Sequence, residues 1–103
     1  MPDAEPSDEG LGIKREEGPS KGRYVLRVDG HEAEMTYSRA GERLIIIDHT
    51  SVPDALRGRH LGEALVKRGI EDARTEGRKI IPVCPFAKAL ISRHPEWHDV
   101  LAD

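Results

Sequence analysis

A single cysteine, Cys84, excludes an internal disulfide framework. No apolar run approaches the length that spans a bilayer, and the N-terminus lacks a signal peptide's apolar core. The expectation is therefore a cytoplasmic chain with no membrane partner. There is no excess of base: the net charge is −3, which argues against nucleic acid as a partner. The five histidines show no zinc spacing, and one cysteine does not supply the missing ligands. No Ser–His–Asp arrangement, internal repeat or second domain is visible, and 103 residues make one domain.

What is present is unevenly spread. Between Met1 and Gly22 six acids face three bases, which accounts for the whole net charge. With Pro, Gly and Ser filling the gaps, residues 1–22 read as a disordered acidic tail, leaving 23–103 as the folding unit. Tyr24, Leu26 and Val28 alternate with polar positions, and Asp29-Gly30 is a hairpin signal. Ala33, Met35 and Tyr37 alternate in the next strand. Leu44-Ile45-Ile46-Ile47 is apolar at every position and reads as a central strand covered on both faces.

A helix is expected to start between Arg57 and Arg59. Leu61, Leu65, Val66, Ile70 and Ala73 share one stripe, with Gly62 and Gly69 inside it for close approach to the sheet. Gly77 stands where a left-handed terminator is wanted. Lys79–Cys84 reads as a fourth strand interrupted by Pro82, and Pro85 opens a helix carrying Phe86, Leu90 and Ile91 inward. Strand, helix and strand in succession require a right-handed crossover with the outer strands parallel. The fold class is thus α+β. A mixed sheet holds a three-strand antiparallel meander, then a β–α–β unit, followed by a C-terminal helix.

The stretch Asp48 to Gly62 runs from an apolar strand through a basic, glycine-containing turn into that helix. Free backbone N–H groups, a helix N-terminus and Arg57 and Arg59 gather there, as holding a diphosphate requires. No lysine followed by Ser or Thr closes the turn, so a nucleotide-hydrolysing phosphate loop is excluded. The arrangement suits a phosphate that anchors a ligand without being cut. Ligands in such sheets lie beyond the carboxyl ends of the parallel strands, here Asp48–Val52 and Val83–Cys84.

The chain resembles the GNAT acyltransferase superfamily, in particular its smallest single-domain members. The residues responsible are His49-Thr50-x-Val52-Pro53, Leu56-Arg57-Gly58-Arg59-His60-Leu61-Gly62, Ala73-Arg74, and Pro82-x-Cys84-Pro85-Phe86 followed by His94-Pro95-Glu96. The resemblance covers Tyr24 to Leu101. The superfamily's acyl-CoA signature maps onto Arg57 and Gly62, but His60 replaces its glycine. That replacement is tolerable where residue 60 has helical dihedrals.

The resemblance implies acetyl-CoA bound where the third and fourth strands splay. Thr50, Ser51 and Val52 would pair with the pantetheine arm, and the amides of Gly58, Arg59, His60, Leu61, Gly62 and Glu63 would hold the diphosphate. It also implies transfer of the acetyl group to a primary amine, whose identity the sequence leaves open.

Two residues are candidates for the chemistry. Cys84 reads as a thiolate, an acyl carrier or a small buried hydrophobe. His49 reads as a base for the incoming amine or as a partly exposed hydrogen-bonding residue. Alternation places Asp48 and His49 on opposite faces, which speaks against a dyad. His60 reads as a phosphate contact or a solvent-side helix residue, His94 as a helix terminator, and His31 as inert. An acetyl-CoA-dependent N-acetyltransferase, monomeric or weakly dimeric, is the first functional expectation. The alternatives are a CoA-binding module with little catalysis and an interaction domain with no ligand.

Overall fold

A computed structural model describes residues 12–102. Five strands form one sheet in sequence order: β1 (Lys14–Glu17), β2 (Lys21–Val28), β3 (His31–Ala40), β4 (Leu44–Ser51) and β5 (Lys79–Pro82). The first four pair antiparallel, and β4 and β5 are parallel. Helix α1 (Leu61–Glu76) makes the crossover between them, and α2 (Pro85–Ser92) follows β5. A 3₁₀ segment, Pro95–Val100, closes the chain and leads Leu101 into a parallel bridge with Ile80.

The local signals act as elementary stereochemistry requires. Asp29 and Gly30 both adopt positive φ, the geometry of a twist-matched two-residue hairpin. Gly77 takes φ +70° and stops α1, with the Arg78 N–H bonded to the Ala73 carbonyl at 2.9 Å. The apolar stripe of α1 is buried as its spacing implies, Gly62 and Gly69 included. A Cβ on Gly69 would stand 2.9 Å from Met35 Cε, so the helix axis lies close over β3. Fully buried Leu65, Val66 and Ile70 each contribute about 1.5–3 kcal/mol of transfer free energy.

Three expectations are corrected. First, the segment read as a disordered tail contributes β1, and Ile13 is only 8% exposed. The antiparallel meander therefore has four strands; residues 1–11 lie outside the described residues. Charge counting missed β1 because its charges are paired internally. Arg15 lies over the rings of Tyr24 and Tyr37, and its guanidinium bonds Glu17, Asp72 and Glu76. The Tyr37 hydroxyl donates to Glu17 at 2.7 Å, and the Tyr24 hydroxyl donates to Asp72 at 2.8 Å.

Second, β4 is covered on one face. Ile45 and Ile47 are buried, whereas Leu44 and Ile46 stay half-buried on the other side. Third, β5 ends at Pro82, and Phe86 is 44% exposed, leaving Ala87, Leu90 and Ile91 as the inward face of α2.

The Arg15 cluster generates a test. Hydrogen bonding from Arg15 holds the Glu76 carboxyl below its ordinary value of 4.5. Partial burial pushes Glu17 up, but bonds from Tyr37 and Arg39 outweigh it and the net shift is downward. Carboxyls depressed on folding add stability that is complete above their unfolded values and lost as pH falls through the folded ones. Arg15→Ala should cost about 2 kcal/mol at neutral pH in urea unfolding. It should also flatten the decline in stability below about pH 4.5. An unchanged acid profile would refute the pairing.

Candidate functional site

The geometry of the site starts where β4 and β5 part. Their pairing runs from Leu44↔Lys79 to Ile47↔Pro82 and stops. Pro82 has no N–H to continue the ladder. The Val83 and Cys84 amides instead both turn onto the Ile47 carbonyl, at 3.1 and 3.0 Å. Beyond Ile47, β4 continues to Ser51 with no β5 partner, so a gap opens between the two chains.

A bulge sharpens the gap. Tyr37 pairs with Ile47 and Thr36 with His49, which leaves Asp48 as the extra residue. An inserted residue resets which face the later side chains occupy. Thr50 pairs with the inward residue Met35 and so faces the helices. The Cys84 thiol, 3% exposed, donates to Thr50 Oγ1 at 3.4 Å. His49 pairs with Thr36 on the outer face, and Asp48 accepts a bond from Ser38 on that same face at 2.8 Å. The expectation that Asp48 and His49 lie on opposite faces is therefore corrected, since simple alternation does not survive a bulge.

On the helix side a cavity of about 540 Å³ opens beside Thr50 and Val52 and runs along the start of α1. Helix α1 begins at Leu61, later than its composition implied. Gly58 at φ +83° and His60 at φ +59° are both left-handed and cannot belong to a right-handed helix. His60, the N-cap, thus lacks the right-handed dihedrals that its place in the signature called for, and it makes no side-chain cap bond. The first intrahelical bond is Ala64 N–H to the His60 carbonyl at 3.1 Å. The amides of Leu61, Gly62 and Glu63 thus lack carbonyl and side-chain partners among the described residues, and they carry the positive end of a sixteen-residue helix.

Of the ten expected cofactor contacts, Thr50, Val52, Arg57, Gly58, His60, Leu61, Gly62 and Glu63 line this cavity. Ser51 and Arg59 do not. Ser51 pairs with Glu34 on the outer face, and Arg59 turns away to Asp29 at 3.0 Å. His49 lies outside the cavity wall, and Cys84 stands behind Thr50. The remaining wall comes from Leu56 and from Phe86, Leu90 and Arg93 of the second helix and its cap.

Arg93 had not been singled out by sequence reasoning. Arg93 completes a legible helical stripe with Phe86 and Leu90, two residues whose spacing reads as core together with Ile91. No carboxylate stands within ion-pair reach of Arg93 among the described residues, whereas Arg57 has Asp54 at 3.0 Å. Glu63 is flanked by the imidazoles of His60 at 3.5 Å and His94 at 3.9 Å. Gly62 is required for the shape of this wall, because a Cβ there would meet the Phe86 ring at 2.9 Å. Among the described residues no cluster of His, Cys, Asp and Glu is arranged to hold a metal ion, and no helix is long and apolar enough to cross a membrane.

A parted sheet, uncapped amides at a helix start and a partly apolar cavity beside them thus meet at one end of the domain. Comparison with known proteins makes the class specific. A family model described as GCN5-related N-acetyl-transferase matches residues 23–100, and the chain belongs to that family. NATD1 of Gallus gallus and NATD1 of Homo sapiens are each 28% identical over 90 residues. That match spans 85% of this chain and 82% and 80% of theirs. A GCN5-like acetyltransferase candidate from Staphylococcus aureus, solved in solution by NMR, superposes with a TM-score of 0.67. It is 34% identical, covering 86% of this chain and 87% of that one. The α+β, mixed-sheet architecture is thus shared with a solved relative, and family membership supports acetyl transfer as the general activity.

The left-handed His60 makes the site's strain measurable. A non-glycine residue there costs about 1–2 kcal/mol, offset in part by the greater unfolded-state freedom of glycine. His60→Gly should raise unfolding stability by about 0.5 kcal/mol, and His60→Val should lower it by more than that. Equal midpoints for the three proteins would show that residue 60 is not held left-handed.

Proposed function

We propose that this chain is an acetyl-CoA-dependent N-acetyltransferase that transfers the acetyl group to a primary amine. The observation that carries the reading is the continuity of the cavity from the uncapped amides of α1 to Thr50 and Val52, past the last paired residue of β4. The residues present fit the cofactor's chemistry. Leu61, Gly62 and Glu63 would donate their amides to the diphosphate, as helix starts do. Arg57 and Arg93 would add charge from either side. Leu56, Phe86 and Leu90 supply apolar wall, and the edge of β4 past Ile47 offers backbone groups to an extended amide-bearing arm.

Acetyl-CoA supplies the acetyl thioester when bound. The neutral amine nitrogen forms a bond to the acetyl carbon, the C–S bond breaks, and its electron pair leaves with sulfur. The proton released from nitrogen goes to His49, which stands exposed on the outer face beside the gap. A further proton transfer gives the free CoA thiol and restores the histidine. Cys84 is buried and bonded to Thr50, which speaks for a supporting role behind the reacting group and against an acyl carrier.

Four outcomes test the reading. CoA at 100 times its dissociation constant should stabilise the protein by about 2.7 kcal/mol in thermal denaturation. Arg93→Ala should weaken CoA about tenfold while leaving pantetheine binding unchanged. No thermal shift with CoA would remove the cofactor from the proposal. His49→Ala should lower the acetylation rate by about 100-fold with CoA affinity intact, while Cys84→Ala stays within about tenfold of wild type. The opposite ranking would assign an acyl relay to Cys84. CoA binding with no turnover of any amine would favour a binding module.

A further inference from the structure

The outer face of the sheet is divided. Over β1 to β3 it is a lattice of paired charges, in which Arg23 bonds Glu16, Glu32 and Glu34 and Arg27 bonds Glu32. Over β4 and β5 it carries Leu44, Ile46 and Ile81, with the one cation of β5, Lys79, at the end away from the gap. Ile46 and Ile81 are direct partners and remain half-buried, and Val83, just past the end of β5, is 60% exposed. Among the described residues none of the three belongs to the core or to the apolar side chains packed against it. An apolar patch on an otherwise charged face marks a place where something docks.

The surroundings identify the occupant. The patch ends at the gap where β4 and β5 part, opposite the cavity wall. The bulge sets Asp48 and His49 together on its rim. The only partner of the Asp48 carboxylate is the Ser38 hydroxyl, so no cation balances it among the described residues. An unbalanced carboxylate beside an apolar strip is complementary to an ammonium carried next to an apolar group.

We propose that the acceptor is a primary amine with an apolar group on the adjacent carbon, seated on Ile46, Ile81 and Val83 with its nitrogen between Asp48 and His49. This rests on the acetyl-transfer reading for its consequence and names the substrate class for that site. Asp48 draws in the ammonium form; its extra proton passes to bulk water before the N–C bond forms, and the second nitrogen proton goes to His49 and on to the leaving sulfur.

The test uses the full chain labelled with ¹⁵N, first saturated with CoA and then titrated with leucinamide or glycinamide, two α-amines differing in the apolar group. Leucinamide should shift the amides of Ile46, Asp48, His49, Ile81 and Val83 and saturate at about tenfold lower concentration than glycinamide. Val83→Ser should erase most of that difference, and Asp48→Asn should weaken both amines alike. Equal saturation by the two amines, or leucinamide shifts elsewhere, would overturn the proposal. So would concentration-dependent broadening of these residues without amine, which would show a second copy on the patch. The CoA step reports separately, through Gly58 to Glu63, so a missing cofactor response is not confused with a missing acceptor response.

Discussion

Everything in the site depends on the hydrogen-bond ladder between β4 and β5 ending at Ile47. Parallel strands that stayed paired would leave no gap, and the carbonyl of Ile47 would receive one amide in register. Here it receives two, from Val83 and Cys84, because Pro82 cannot donate and the chain turns at once into α2. Three antiparallel pairings hold the rest of the sheet firmly enough that this one interruption stays local. The unpaired edge of β4 is therefore a fixed feature of the fold.

The bulge at Asp48 gives that gap two different sides. Without it Thr50 would face outward and His49 would point under the helices. With it, Thr50 joins Cys84 on the inner side while Asp48 and His49 share the outer one. One inserted residue thus gives the gap a thiol and a hydroxyl on one face and a carboxylate and an imidazole on the other. The left-handed Gly58 and His60 act similarly at the other end of the cavity. By delaying the start of α1 they leave three amides open at the strongest point of the helix field.

The N-terminal cluster shows how composition can mislead. Arg15, Glu16 and Glu17 read as solvated charge when counted. In the fold, Arg15 is the common partner of carboxylates from β1 and α1 and of two tyrosine rings from β2 and β3. Burial, then the bond to Asp72, pushes the Tyr24 hydroxyl well above its ordinary range, so it remains a donor at any physiological pH. Exposed pairs of this kind usually add little, but several charges sharing one partly buried guanidinium hold β1 against the sheet.

Period and stereochemistry are local properties, and the sequence by itself determined what depends on them. These are the alternating faces of β2 and β3, the Asp29-Gly30 hairpin, the buried stripe of α1 with its close-packed glycines, the stop at Gly77, and the parallel crossover that brings Thr50 and Gly62 to one end of the sheet. Tertiary structure decided what depends on distant partners. Charges at Arg15 become a strand only when Asp72 and Glu76 of α1 arrive. The register shift at Asp48 exists only against Thr36 and Tyr37. Arg93 becomes a cavity residue only when α2 leans over the start of α1. Faces and turns follow from the residue and its neighbours, whereas pairing across space requires the whole chain to have closed.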